Sequence, residues 1–339
     1  MLDIPYYLSH HQPKMIAAVI REANRIYKLW SANNPGFSEY GRVHIIAHSL
    51  GSVMALDILS QQPTTIPEHL SDPVKVDLQA QNIPHFLFRT HNLFLAGSPA
   101  GFFLLLKRAN LLPRIDLDAP NKDPDTNTSA VCGVQGTYGC LAVSNVYNII
   151  NPYDPVSYRL NAAVDAAYAR SLRPAWIPSA SPGWFSGSGG SNSGGSNTSG
   201  RGSWFGRSRE GTPSSTTTPS TAATTLSNTM TSIKTVPTRA PSNLELETHD
   251  FPREQVAEAR MRRLNDNGQI DFLLRYGGGP LEISQYLTML GAHSSYWLSR
   301  DFVRCVVVEI GKGARREGML GMRAVKRKGT GVAAVAGGA

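Results

Sequence analysis

Residues 43–52 read Val43-His44-Ile45-Ile46-Ala47-His48-Ser49-Leu50-Gly51-Ser52, and this stretch decides the fold. A short apolar and β-branched run leads into a small-x-Ser-x-Gly turn, and helix-forming residues follow from Val53. That is the strand–turn–helix setting of a nucleophile elbow, where small residues flank the serine because the turn is too tight for larger Cβ groups. Ser49 is therefore the candidate nucleophile, its hydroxyl projecting above the sheet edge. Ala47 stands where the motif usually has its first glycine.

Working outward, residues 14–30 carry Ile16, Ile20, Ala23, Tyr27 and Trp30 on one helical stripe, with Pro13 suited to a first helical position. Asn33-Asn34-Pro35-Gly36 ends that helix, and the helix after the elbow covers about 52–61. Further strands are expected at Leu93–Ala96, closed by Gly97-Ser98-Pro99, and at Val146–Ile150, closed by Asn151-Pro152. Short continuous apolar runs between helices suit a parallel sheet buried on both faces.

From about Pro174 the composition changes: Ser186–Gly202 is nearly all Gly, Ser and Asn, and Thr212–Thr225 mostly Ser, Thr and Pro. Ordering such a tract costs about 1–2 kcal/mol per residue with little burial in return, so a disordered insertion is expected. Its Trp184, Phe185, Trp204 and Phe205 are either loose linker aromatics or docking groups. A helix is expected at 252–264, a strand at 270–276, a break at Gly277–Pro280 and a helix at 282–290. Phe302–Val308 reads as a strand, or as a buried helix. The domain scheme is thus 1–174, an insertion at 175–249, a second part at 250–310 and a basic disordered tail at 311–339.

The chain has 339 residues and a net charge of +8. Lys312–Lys328 holds seven basic residues against Glu317, a sum of +6, which leaves +2 for everything else. The tail is either a solvated terminus or a hold on anionic lipid, where each basic residue contributes about 1 kcal/mol; no aromatic interleaving supports nucleic acid. Cys132, Cys140 and Cys305 form an odd set without metal-type spacing, which fits a reducing compartment. No signal-peptide pattern opens the chain and no run reaches the 18 or so apolar residues of a membrane span. The expectation is a cytoplasmic protein, peripheral on intracellular membranes, with mitochondrial or early secretory membranes as the alternatives, and with no cofactor and no evident protein partner.

Serine needs a neighbouring base that is itself oriented by a third group. In α/β-hydrolases the chain order is Ser, then Asp or Glu, then His. Asp154 follows the strand at 146–150 and is either that acid or a turn aspartate before Pro155. His293 follows the expected helix at 282–290, and the other late histidine, His249, borders the Ser/Thr tract.

Several motifs then carry a specific resemblance. They are Ala47-His48-Ser49-Leu50-Gly51-Ser52, Leu95-Ala96-Gly97-Ser98-Pro99, Tyr147 through Arg159, Gln269-Ile270-Asp271, and Ala292-His293-Ser294-Ser295-Tyr296-Trp297 to Asp301. Together they resemble the DDHD-domain family, the intracellular phospholipases A1 that prefer phosphatidic acid. Its four name-giving residues map to Asp154, Asp271, His293 and Asp301. The fold class this implies is α/β: a partial α/β-hydrolase-like fold, its mostly parallel sheet flanked by helices and interrupted by the insertion.

The resemblance further implies Ser49 as nucleophile, His293 as general base and then acid, and Asp154 as its orienting partner. Asp271 and Asp301 would complete a polar network around His293, contact substrate, or hold a divalent cation; the network is the favoured role. The Leu50 amide, at the start of the helix, would be one oxyanion donor. Only about 42 residues precede the Val43 strand, so the chain resembles a family member without its amino-terminal half.

The function expected is phospholipase A1-type cleavage of the sn-1 ester of phosphatidic acid or a related phospholipid, with transient contact to an anionic membrane. The alternatives are a non-catalytic phospholipid-binding module and a soluble esterase or acyltransferase on the same scaffold.

Overall fold

The computed structural model describes residues 5, 7–78, 80, 82–117, 127–179, 251–275, 291–312 and 322–327. These all belong to one unit formed by 1–182 and 246–339. The expected insertion from residue 180 on, the break at 277–280 and the helix at 282–290 lie outside the described residues.

Helix α1 (Gln12–Asn33) and the short α2 (Phe37–Tyr40) precede β1 (Val43–His48), and α3 (Leu50–Gln61) leaves the elbow directly. Then come β2 (Thr90–Ala96), α4 (Ala100–Leu106), β3 (Leu112–Pro113), β4 (Cys140–Leu141) and β5 (Val143–Ile150). After α5 (Asn161–Val164), α6 (Ala166–Ser171) and β6 (Ala175–Trp176) the described chain resumes with α7 (Phe251–Leu264), β7 (Asp271–Leu273) and α8 (Arg300–Gly311).

Five strands form one sheet in the order β1-β2-β5-β7-β6, every pair parallel; β3 and β4 pair separately. The register sets His48 opposite Ala96 and Ala96 opposite Ile149, so the carboxyl ends of β1, β2 and β5 finish together. This is the α/β architecture that the short apolar runs imply.

The two-residue period of a strand divides the core. Leu93 and Leu95 face one cluster, with Leu56, Leu59, Met261 and Leu264 from α3 and α7, while Ile16, Ala23 and Tyr27 of α1 pack against it. Phe94 and Ala96 face the other, with Tyr147, Ile149, Phe272, Phe302, Cys305 and Val306. The second face is covered largely by α8.

That helix corrects the preferred reading of Phe302–Val308 as a strand. Phe302, Cys305, Val306 and Glu309 are buried at three- and four-residue steps, whereas Val303 and Val307 point to solvent. The β-branched content suggests a strand, but Ser299 caps the helix by accepting from the Phe302 amide at 3.2 Å. Arg42 then donates to the Ile310 and Lys312 carbonyls at the other end, satisfying acceptors that a helix terminus leaves open.

The composition break near residue 174 misplaces one element. Ala175–Trp176 is the edge strand of the sheet, paired with Phe272 and Leu273. Part of the expected disordered tail is likewise built in. Residues 322–327 bond to segments 171–173 and 267–269 through Ala324 N–Asn267 O (2.8 Å), Arg173 N–Val325 O (2.8 Å) and Arg327 N–Ser171 O (2.7 Å). Met322 is fully buried, and Lys326 pairs with Glu254 at 2.6 Å. Charge density signals solvation only where the backbone has no acceptor strand to join.

Arg114, 1% exposed, donates to the carbonyls of Leu59, Ser60, Gln62 and Cys140 and so closes the carboxyl end of α3. Near the start of β1, burial and then the neighbouring His91 and Arg42 push the His44 imidazole down from 6.5 to about 4, and its Nδ1 is buried without a partner. The unfolded chain therefore binds a proton that the folded chain refuses between those values. Stability from this site is complete above pH 6.5 and is lost as pH falls towards 4. Chemical denaturation at several pH values should show this decline in the native protein and a shallower one in His44→Gln; an unchanged slope refutes the assignment.

Candidate active site

The elbow is held in a backbone conformation that side chains resist: Ser49 has φ 54° and ψ −129°. Such a residue costs about 1–3 kcal/mol and persists only where its surroundings dictate it. Here the Ser49 amide donates to Ala96 O at 3.0 Å, and the Ser49 carbonyl accepts from Ser52 Oγ at 2.5 Å. Ser98 Oγ accepts from the Ala100 amide and lies 2.6 Å from Ser52 Oγ, so its own proton goes to Ser52. The elbow is thus stitched to the end of β2.

Ser49 Oγ lies 2.8 Å from His293 Nε2. His293 Nδ1 lies 3.0 Å from Asp154 Oδ2 and 3.1 Å from Oδ1. A carboxylate only accepts, so Nδ1 carries the proton and Nε2 is left as acceptor for the serine hydroxyl. Asp154 is buried while the His293 side chain is about a quarter exposed (26%), so the open side of the arrangement is at the serine and the imidazole edge.

Four residues that carry no assignment from sequence hold these three. Tyr296 donates its hydroxyl to Asp154 Oδ2 at 2.9 Å and accepts from the Asn151 amide at 2.9 Å; burial pushes its phenol well above the ordinary tyrosine range. Asn151 also donates through its side chain to Ser295 Oγ at 3.0 Å. The imidazole of His48, next to Ser49 in sequence, donates from Nε2 to the His293 carbonyl at 2.6 Å, with the two rings 4.7 Å apart.

Gly97 makes the convergence sterically feasible. It has φ +57°, and a Cβ there would sit 2.7 Å from Asp154 Oδ2 and 3.0 Å from His293 Nδ1. The sequence holds a signal for Tyr296, which stands three residues after His293, one helical turn away on the same face. Nothing in the sequence alone marks His48.

The other two name-giving aspartates lie at β7 and at the start of α8. Asp271, at the start of β7, accepts from Asn148 Nδ2 (2.9 Å) and from the amides of Leu160 (2.8 Å) and Asn161 (3.0 Å). It ties β7 to β5 and fixes the chain downstream of Asp154; burial raises its pKa despite those donors. Asp301 occupies the first turn of α8, where a carboxylate meets the positive end of the helix. Among the described residues no group of three or more His, Cys, Asp or Glu is arranged to hold a metal ion.

A Ser–His–Asp arrangement at the carboxyl edge of a parallel α/β sheet defines the class of protein. Comparison with known families is specific: residues 86–310 match the DDHD domain, and the chain belongs to that family. It is 27% identical over 314 residues to a probable mitochondrial phospholipase of Schizosaccharomyces pombe, covering 91% of this chain and 37% of that protein. It is 30% identical over 212 residues to the intracellular phospholipase A1 of Caenorhabditis elegans, covering 51% of this chain and 22% of that one. Against phospholipase DDHD1 of Mus musculus it is 26% identical over 232 residues, covering 53% and 38%. The chain thus spans well under half the length of these relatives. No solved structure matches it.

Two outcomes are expected. Gly97→Ala should abolish labelling of Ser49 by a fluorophosphonate and lower stability by about 1–3 kcal/mol, because the added methyl meets buried carboxylate and imidazole at a positive φ; normal labelling would show that the site tolerates the shift. Asp271→Asn turns an acceptor into a donor facing an amide, so thermal denaturation should show a loss of about 1–3 kcal/mol. At temperatures where that variant is folded, its labelling should match the parent.

Proposed function

We propose that this chain is the hydrolytic portion of a serine phospholipase of the A1 type, cleaving the sn-1 acyl ester of phosphatidic acid or a related glycerophospholipid. The observation that carries the reading is the unbroken hydrogen-bond line from Ser49 through His293 to Asp154. The phospholipase names of the relatives supply the substrate class.

In this mechanism Ser49 Oγ attacks the ester carbonyl as its proton passes to His293 Nε2. Asp154, held by Tyr296 and by the Val156 amide at 2.9 Å, keeps the imidazole oriented and stabilises its cationic form. The oxyanion meets the Leu50 amide, which as the first residue of α3 has no acceptor within its own helix. Collapse of the intermediate breaks the bond to the glycerol oxygen, which leaves with the proton from Nε2 as the lysophospholipid alcohol. Water, deprotonated by the same nitrogen, then releases the fatty acid and restores Ser49.

A non-catalytic phospholipid-binding module is the alternative reading. Fatty-acid release from phosphatidic acid by the purified chain separates the two. Ser49→Ala should reduce turnover by at least about 10⁴-fold with vesicle binding intact. Turnover that survives the substitution, or none in the parent, defeats the enzymatic reading.

A further inference from the structure

Two imidazoles flank Ser49, and the proposed mechanism uses one of them. His48 is the last residue of β1 and the immediate neighbour of Ser49 in the chain. Ala47 packs into the first core cluster, so the two-residue period of the strand turns His48 to the opposite face. There it is partly buried and meets segment 292–298. Its ring centre lies 4.7 Å from that of His293, 5.9 Å from Tyr296 and 6.0 Å from Trp297.

His48 Nε2 lies 2.6 Å from the His293 carbonyl oxygen. A carbonyl only accepts, so Nε2 carries a proton and donates it whether the ring is neutral or cationic. That nitrogen is committed to main chain, whereas His293 presents a bare Nε2 at 2.8 Å from Ser49 Oγ. Together the two contacts close a ring. From Ser49 Oγ the path runs to His293 Nε2, through that residue to its carbonyl, across to His48 Nε2 and back through one peptide bond to Ser49. Two consecutive residues of the elbow thus grip one residue of the opposing segment by its side chain and by its main chain.

A single hydrogen bond fixes a distance but leaves the imidazole free to swing about it. A second anchor on the same residue fixes the direction as well. Asn151 and Tyr296 fasten segment 292–298 to the end of β5, through Ser295 Oγ at 3.0 Å and Asp154 Oδ2 at 2.9 Å. His48 fastens it to the elbow, where the alignment has to be kept: a misplacement of about 1 Å can cost about 100-fold in rate.

We propose that His48 is a positioning residue for the acyl transfer, its Nε2–H holding the His293 main chain in register with the elbow so that the imidazole stays aimed at Ser49 Oγ. This role rests on the Ser49–His293–Asp154 reading.

The test uses the purified chain, a short water-soluble ester and a fluorophosphonate. His48→Gln and His48→Met are alike in length, but only glutamine has an N–H to give the carbonyl. The methionine variant should lose about 100-fold in kcat with KM within about twofold, because ester binding does not depend on the direction of the imidazole. The glutamine variant should recover most of that rate, to within about fivefold of the parent. Labelling of Ser49 should follow the same order. The proton between His293 Nδ1 and Asp154, read by NMR as a far-downfield resonance, should stay in both variants, since Tyr296 and the Val156 amide hold that carboxylate.

Equal rates in the methionine variant and the parent overturn the proposal. So do equal losses in the two variants, or a downfield resonance lost together with the rate, which mark His48 as packing rather than as a donor. Should the methionine variant fail to fold, His48→Phe, which keeps a ring against Trp297 without the donor, takes its place beside His48→Gln. A parent that neither labels nor turns over the ester ends the catalytic reading and this role with it. An active parent matched by its donor-less variant ends this role alone.

Discussion

The Asp154 carboxylate is the group on which the arrangement depends. Burying an ionised carboxylate is costly unless neighbours supply donors in good geometry. Here they come from three places in the chain: the Val156 amide two residues on, the Tyr296 hydroxyl and the His293 imidazole. Two of these donors come from the far side of the long Ser/Gly/Thr tract. Meeting the electrostatic demand of one side chain therefore draws segment 291–298 against the end of β5. The elbow at β1 completes the set because β1, β2 and β5 end level in a parallel sheet.

Much of this was legible in the sequence, for identifiable reasons. The Val43–Ser49 run, the apolar stretches ending at Ala96 and Ile150, and the order of Ser49, Asp154 and His293 are local patterns, and local patterns survive folding. Phe302–Val308 shows where that stops: its valines favour a strand, yet a cap at Ser299 and a burial period of three to four give a helix. Composition also failed at the edges of the ordered unit. Ala175–Trp176 and residues 322–327 gain their order from acceptors and donors on distant backbone, which no window of sequence displays. His48 and Gly97 belong to the same category. Their importance lies in what sits opposite them in space.

Asp271 illustrates how a motif residue contributes without reaching the reacting groups. It organises the turn at Leu160–Asn161 and the β5–β7 contact, and the loop it steadies is the one that carries Asp154. A family signature built on four residues thus mixes two kinds of role. Asp154 and His293 touch each other, Asp271 braces the frame at β7, and Asp301 lies in the first turn of α8.

The unusual backbone angles at Ser49 also bear on heredity. Glycine would adopt them with little strain, and a single base change separates two of the six serine codons from glycine codons. A lineage that no longer needed the hydroxyl would gain stability by drifting to glycine at that spot. Serine in that pose carries a backbone strain that glycine would not.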